Sequence, residues 1–203
     1  MRLALNAVML LPAVLFTASK VCAFEVDPLF FRSIQHWEIR ATSAQELKME
    51  FDGKFNGRMG WTSSLVTYNY SLDRADDVCR VKRFRAQCNA TIKLPRWHDV
   101  AKAPQHIQDW WKTTYEVLRV HEFGHADICL DVARDVERAV QRVRPRDFCG
   151  QLSAEVTNAA EAVIDTLNGR QEEYDRITNH GRTQERYLKS DGSSSNKSPD
   201  KGR

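Results

Sequence analysis

No sign of charge dominates this sequence. Its 203 residues carry 30 Lys and Arg against 27 Asp and Glu. No internal repeat is visible. No apolar run reaches the roughly 20 residues that a membrane-spanning helix needs. The longest, Leu3 to Phe16, falls short of that length. Histidine is scarce too, with six in the whole chain. The short apolar run argues against a membrane-spanning anchor. The charge balance leaves no electrostatic case for nucleic acid or an anionic membrane. The basic stretch Arg80 to Arg85 reads instead as the wet face of a strand.

The N-terminus has a clear purpose. Arg2 precedes the apolar run, and Val21-Cys22-Ala23 offers small residues where a signal peptidase reads. Residues 1–23 are therefore expected to be a cleaved signal peptide, and the protein to be exported, periplasmic or secreted. Removing Arg2 and Lys20 leaves 28 basic residues against 27 acidic ones. The far end, from Lys189 onward, reads KSDGSSSNKSPDKGR and has no apolar residue to bury. It is expected to be a disordered polar tail over residues 189–203. Between them, residues 24–188 and the chain's 42% hydrophobic content suit one domain.

Residues 34–97 have the pattern of a small sheet. His36 to Ala41 reads as a strand and Ser43 to Phe51 as a short helix. Trp61 to Leu72 alternates, with Val66, Tyr68, Tyr70 and Leu72 on one side. Arg83 to Leu94 alternates more cleanly, with Phe84, Ala86, Cys88, Ala90, Ile92 and Leu94 facing inward. Pro95 is expected to end that strand. A first long helix opens near Pro104 and stops before Pro145. Its stripe runs Ile107, Trp111, Leu118, His121, His125, Ile128, Val132, Val136, Val140 and Val143. Its length suggests a break near Thr113 to Tyr115. A second helix opens between Cys149 and Ser153 and carries Leu152, Val156, Ala160, Val163, Leu167 and Tyr174, continuing past Gly169. The fold class is α+β: a small antiparallel or mixed sheet, then a long antiparallel helical hairpin, zincin-like in outline.

Once Cys22 leaves with the signal, Cys79, Cys88, Cys129 and Cys149 remain, an even number in an exported protein. No Gly, Pro or Asn lies between Cys79 and Cys88 to turn the chain. Extended at ~3.3 Å per residue they stand about 30 Å apart, and a disulfide needs α-carbons within about 7 Å. Each should pair with a helical cysteine. Cys88 points inward and Cys129 shares a helix face with His125, so Cys88–Cys129 and Cys79–Cys149 are expected.

The chemistry sits in RVHEFGHADICLD, Arg119 to Asp131. Helical residues four apart lie about 40° apart in rotation and about 6 Å apart along the axis. His121 and His125 can thus reach one ion. Glu122 is rotated about 100° away, so it can touch a metal-bound water without ligating. Gly124 admits close approach of another backbone. Catalytic zinc usually takes three protein ligands. His106 lies about 22 Å before His121 on the same helix and is out of reach. His36 and His98 are surface or core histidines by default. The hairpin travels about 27 Å out from His125 and about 35 Å back. That brings Tyr174 to Gly181, YDRITNHG, level with the pair. His180 is the preferred third ligand. Asp175 could be that ligand instead, or could orient a histidine.

HEFGH followed by Y-D-x-x-T-x-H-G, with Leu94-Pro95 before Trp97 and compatible tryptophans at Trp110 and Trp111, resembles bacterial domain-of-unknown-function family 922. That group is catalogued as secreted zinc-dependent proteases by inference from its motif. The likeness covers roughly residues 36–187. It implies metal positions at His121 and His125, Glu122 as catalytic acid–base, and a functional Tyr174–Gly181 segment.

The expected activity is therefore that of a zinc metallopeptidase. Zn²⁺ would sit on His121, His125 and His180, Glu122 would move the proton, and Tyr174, Tyr187 or Arg182 would support the oxyanion. A peptide or protein substrate would lie along an edge strand, with Arg83 to Leu94 the candidate. The same chemistry would serve an amidase acting on wall peptides. The alternative class is a non-catalytic, metal-stabilised envelope binding module that uses Trp61, Trp97, Trp110 and Trp111.

Overall fold

The computed structural model describes residues 24–55 and 58–184. The expected signal peptide, the polar tail and Tyr187 lie outside the described residues. The order of elements is β1 (Leu29–Ile39), α1 (Ala44–Phe55), β2 (Trp61–Ala75), β3 (Val78–Trp97), a 3-10 turn (Val100–Lys102), α2 (Gln105–Gln141), α3 (Cys149–Ile164) and α4 (Thr166–Thr178). The fold is α+β, a three-stranded mixed sheet followed by helices. The strand order is β1-β3-β2, with β1 parallel and β2 antiparallel to the central β3.

The β2–β3 hairpin turns at Asp76 and Asp77, with φ of 51° and 57°. A two-residue loop needs two positive φ angles to match strand twist, and Asp tolerates them better than most side chains. That turn was not legible as Asp-Gly or Asn-Gly would have been. Further along, Ser71 pairs with Arg83 but Leu72 pairs with Val81, which leaves Lys82 as an extra residue. The bulge lets Val81 and Phe84 both face the core. It also explains why clean alternation begins only at Arg83.

Pro95 does not end β3, which runs on to Trp97. The Ala86 N–H leaves the sheet toward Glu137 rather than toward β2. By alternation, position 95 faces the β2 side. There β2 has already ended, at Trp61 opposite Lys93. The proline therefore removes no ladder bond.

The first long helix is continuous, 37 residues with no break at Thr113–Tyr115. Trp111 there is buried in a second core with Ile39, Leu47, Phe51 and Trp97, and Tyr115 packs against it. The stripe thus never loses its partner. The second helix is instead two, divided at Asp165. The Thr166 hydroxyl donates to the Val163 carbonyl at 2.7 Å, a local bond that competes with the helical ladder. Gly169 lies inside α4 without breaking it.

The main core lies between the sheet's inner face and α2 and α3, with Phe84, Ile92, Val132, Val136, Leu152 and Val156 buried. Both expected cysteine pairs form across it. Cys79–Cys149 has α-carbons 5.2 Å apart and Cys88–Cys129 5.8 Å, each tying β3 to a helix. Among the described residues, no helix is long and apolar enough to cross a membrane.

One carboxylate is sealed in this core. Glu137 of α2 has 0% exposure. It accepts from the Ala86 N–H at 2.8 Å and the Asp27 N–H at 2.7 Å. It satisfies β3 where β1 has not yet begun, and it anchors the segment before β1. Burial pushes its pKa up against the pull of those two donors. Glu137→Gln would turn an amide N–H₂ toward one of these donors. It is expected to cost about 1–3 kcal/mol, read as a lower urea midpoint at unchanged slope.

Candidate metal centre

His121 and His125 project from successive turns of α2, with Nε2 atoms 3.2 Å apart. The hairpin brings α4 back beside them. Asp175 Oδ1 lies 3.0 Å from His121 Nε2 and 3.1 Å from His125 Nε2. These three residues could hold a metal ion, their donor atoms all within 4.8 Å of one another. Tetrahedral zinc with bonds of about 2.0–2.2 Å places its donors roughly 3.3–3.5 Å apart. The observed separations are close to that spacing.

The other imidazole nitrogens are also spoken for. His125 Nδ1 donates to Gln171 Oε1, while Gln171 Nε2 donates to the His125 carbonyl at 3.0 Å. Thr178 Oγ1 donates to the Tyr174 carbonyl at 2.7 Å, so it can accept from His121 Nδ1 at 3.4 Å. Protons held at Nδ1 leave both Nε2 lone pairs aimed at a common point. Burial, then the neighbouring His125, pushes the His121 pKa down, which keeps that imidazole neutral for ligation.

Glu122 is buried beside the pair and stays outside the donor group. The Thr62 hydroxyl, from the start of β2, reaches Glu122 Oε2 at 2.8 Å and the Glu122 carbonyl at 2.9 Å. Burial raises the pKa of Glu122, and the Thr62 bond opposes that rise.

Tyr174 buttresses the site from behind. Its ring stacks on His121 at 5.2 Å between centroids and meets His125 edge-on at 4.9 Å. Its hydroxyl lies over Gly124, where a Cβ would come within 2.1 Å, and accepts from Gln184 Nε2. The close neighbour that Gly124 admits is thus a tyrosine side chain, not the expected backbone. Tyr174 is not among the residues lining the cleft, and its hydroxyl is engaged by Gln184. Gly124→Ala would ordinarily favour a helix. Here it should cost about 1–3 kcal/mol through overpacking and displace the ring that holds both imidazoles. Thermal melting and metal content should fall together.

The chain reverses after α4 through three residues with positive φ: Asn179 at 49°, His180 at 50° and Gly181 at 84°. A Cβ at Gly181 would stand 3.1 Å from His121 Cβ. This turn carries His180 outward. Its side chain is 77% exposed, with Nδ1 3.5 Å from Asp175 Oδ1. The preferred third ligand of the sequence reading is therefore outside the donor group, and its alternative, Asp175, is inside. His36, His98 and His106 are exposed and take no part.

The centre opens on a cleft of about 710 Å³, walled by Arg58 to Ser64 on one side and by α2, α4 and the reversing turn on the other. Arg182 lines it and is exposed. Among the described residues β2 pairs with β3 alone, and Trp61, Thr62 and Ser64 border the cleft. The strand expected to pair with substrate, Arg83 to Leu94, lies in central β3 with neighbours on both edges. That role is closed to it. Trp97 and Trp111 are buried in the second core, which removes them from any tryptophan binding surface.

Three site residues escaped the sequence reading. Gln171 sits four before Asp175, and Thr178 three after it, so one helical face carried the signal. Thr62 extends the inward alternation of Val66 back by two steps.

No curated protein and no solved structure matches the chain. A family model matches residues 34–181, from β1 through the turn after α4. The chain belongs to the family described as bacterial protein of unknown function, DUF922.

Proposed function

We propose that this protein is an exported, zinc-dependent peptidase. The observation that carries the reading is the convergence of His121, His125 and Asp175 on one point at the wall of an open cleft, with Glu122 beside them. Two imidazoles and a carboxylate suit zinc. When bound, a divalent ion there would supply the positive charge that makes a water acidic near neutral pH. Glu122 takes the proton from the attacking water and delivers it to the departing amine as the C–N bond breaks. Its buried setting, with a raised pKa, suits it to hold that proton between the two steps. His180, exposed in the cleft beside Asp175, would donate to the carbonyl oxygen as it gains charge. The edge of β2 away from β3 would offer backbone groups to an extended substrate. The two disulfides are consistent with export.

The test combines metal analysis with turnover. Purified protein should carry about one zinc per chain and cut an unfolded protein. A chelator should stop the cutting and added zinc should restore it. Metal-loaded protein that leaves unfolded and wall-derived peptides intact would end the hydrolase reading.

A further inference from the structure

Two arginines bracket the centre from opposite walls. Arg58 stands two residues before Gly60, whose Cβ position is 3.3 Å from Glu122 Oε1. Two residues of chain span at most about 7 Å. The Arg58 charge is felt at Glu122. Arg182 directly follows Gly181, which packs on His121. Both arginines are exposed and both line the cleft.

The two carboxylates on the cleft wall sit at or beside the candidate metal position, so a bound divalent ion would offset their charge and leave that of the arginines. The carboxylates lining the cleft are Glu122, held by Thr62, and Asp175, held between two imidazoles. Some surface arginines are paired with carboxylates, among them Arg119 with Glu116 and Arg176 with Glu173. Among the described residues Arg58 and Arg182 have no such partner. A cleft walled this way concentrates negative charge, and the effect is strongest at low ionic strength.

We infer that Arg58 and Arg182 are specificity residues that select carboxylate-bearing peptides, with the carboxylates within about two residues of the bond cut, at ~3.3 Å per extended residue. The inference rests on the peptidase reading for the bond cut, and on the cleft alone for the preference. Such carboxylates come from Asp and Glu side chains or from a free C-terminus. The guanidinium fork suits either.

The experiment uses the full mature chain loaded with zinc. Peptides of one length, blocked at both ends, carry Glu, Gln or Lys on each side of a common central pair. A further arm leaves the Gln peptide's C-terminus free. The Glu peptide should exceed the Gln peptide in kcat/KM by about tenfold at low salt, and the gap should shrink as salt rises. Improvement of the free-ended peptide alone would assign the preference to the terminal carboxylate. In the double variant Arg58→Gln with Arg182→Gln the Glu-to-Gln ratio should fall to about twofold or less. Because both positions are exposed, its melting should stay within about 0.5 kcal/mol of the parent. Equal rates on Glu, Gln and free-ended peptides overturn the inference, as does a preference that survives the double variant. Calorimetry with metal-loaded Glu122→Gln protein reads the same ratio as dissociation constants. A carboxylate preference there, in a protein whose parent cuts nothing, keeps the inference and removes the peptidase reading. No preference there removes the inference.

Discussion

Asp175→Ala is expected to strip the protein of its metal, while His180→Ala keeps it. Asp175 Oδ1 stands 3.0 and 3.1 Å from the two Nε2 atoms, and no other carboxylate joins that group among the described residues. Changing a group that merely orients a ligand costs 10–100-fold in metal affinity. Losing one of three protein ligands should exceed about 100-fold. His180 is 77% exposed and touches the group only through Asp175 at 3.5 Å. Its removal should leave affinity within about tenfold of the parent, the low end of an orienting effect, and lower kcat instead. Competition with a chromophoric chelator gives both affinities. Asp175→Asn sharpens the comparison, because it keeps the shape and loses the charge. Should His180→Ala lose zinc as completely as Asp175→Ala, the turn at Asn179 to Gly181 must close on the metal and His180 must ligate it.

Much of this arrangement could be read before any coordinates. The spacing of His121 and His125 fixes two donors, and the lengths of the helices on either side of Pro145 fix where the chain returns. Both are arithmetic of helical rise, which tolerates an error of one turn. The cysteine pairing was legible for a similar reason, since an extended chain cannot bridge Cys79 to Cys88. The choice between Asp175 and His180 depended on something finer. Asp175 lies on the inward face of α4, while His180 follows the helix end, where three left-handed residues set its direction. Helical periodicity says nothing about a residue beyond the cap. The role of β3 failed on topology. Alternation shows that a strand has one wet face but not whether its edges are taken, and here β1 arrives in parallel from far along the chain. Gly124 marked a close approach correctly but could not say that the neighbour would be the Tyr174 ring.

Glu122→Gln should abolish hydrolysis and leave everything else in place. The amide keeps the volume of the carboxylate. Its oxygen can still accept from the Thr62 hydroxyl, which now reaches Oε2 at 2.8 Å. Zinc content should not change, because Glu122 contributes no donor to the His121, His125 and Asp175 group. What the variant lacks is a site for a proton. A positioned acid–base group typically contributes 10²–10⁴-fold, so kcat should drop by about that factor with KM little altered. Thr62→Val probes the same step from the other side, removing the hydroxyl that holds the carboxylate. Its rate should fall between the parent and Glu122→Gln, and Thr62→Ser should restore most of the loss. The comparison separates holding from proton transfer, since Thr62→Val leaves a carboxylate in place and Glu122→Gln does not. If Glu122→Gln protein cut peptides at the parent's rate, proton transfer would have to reside elsewhere. Among the described residues, His180 is then the remaining imidazole or carboxyl side chain on the cleft wall outside the donor group.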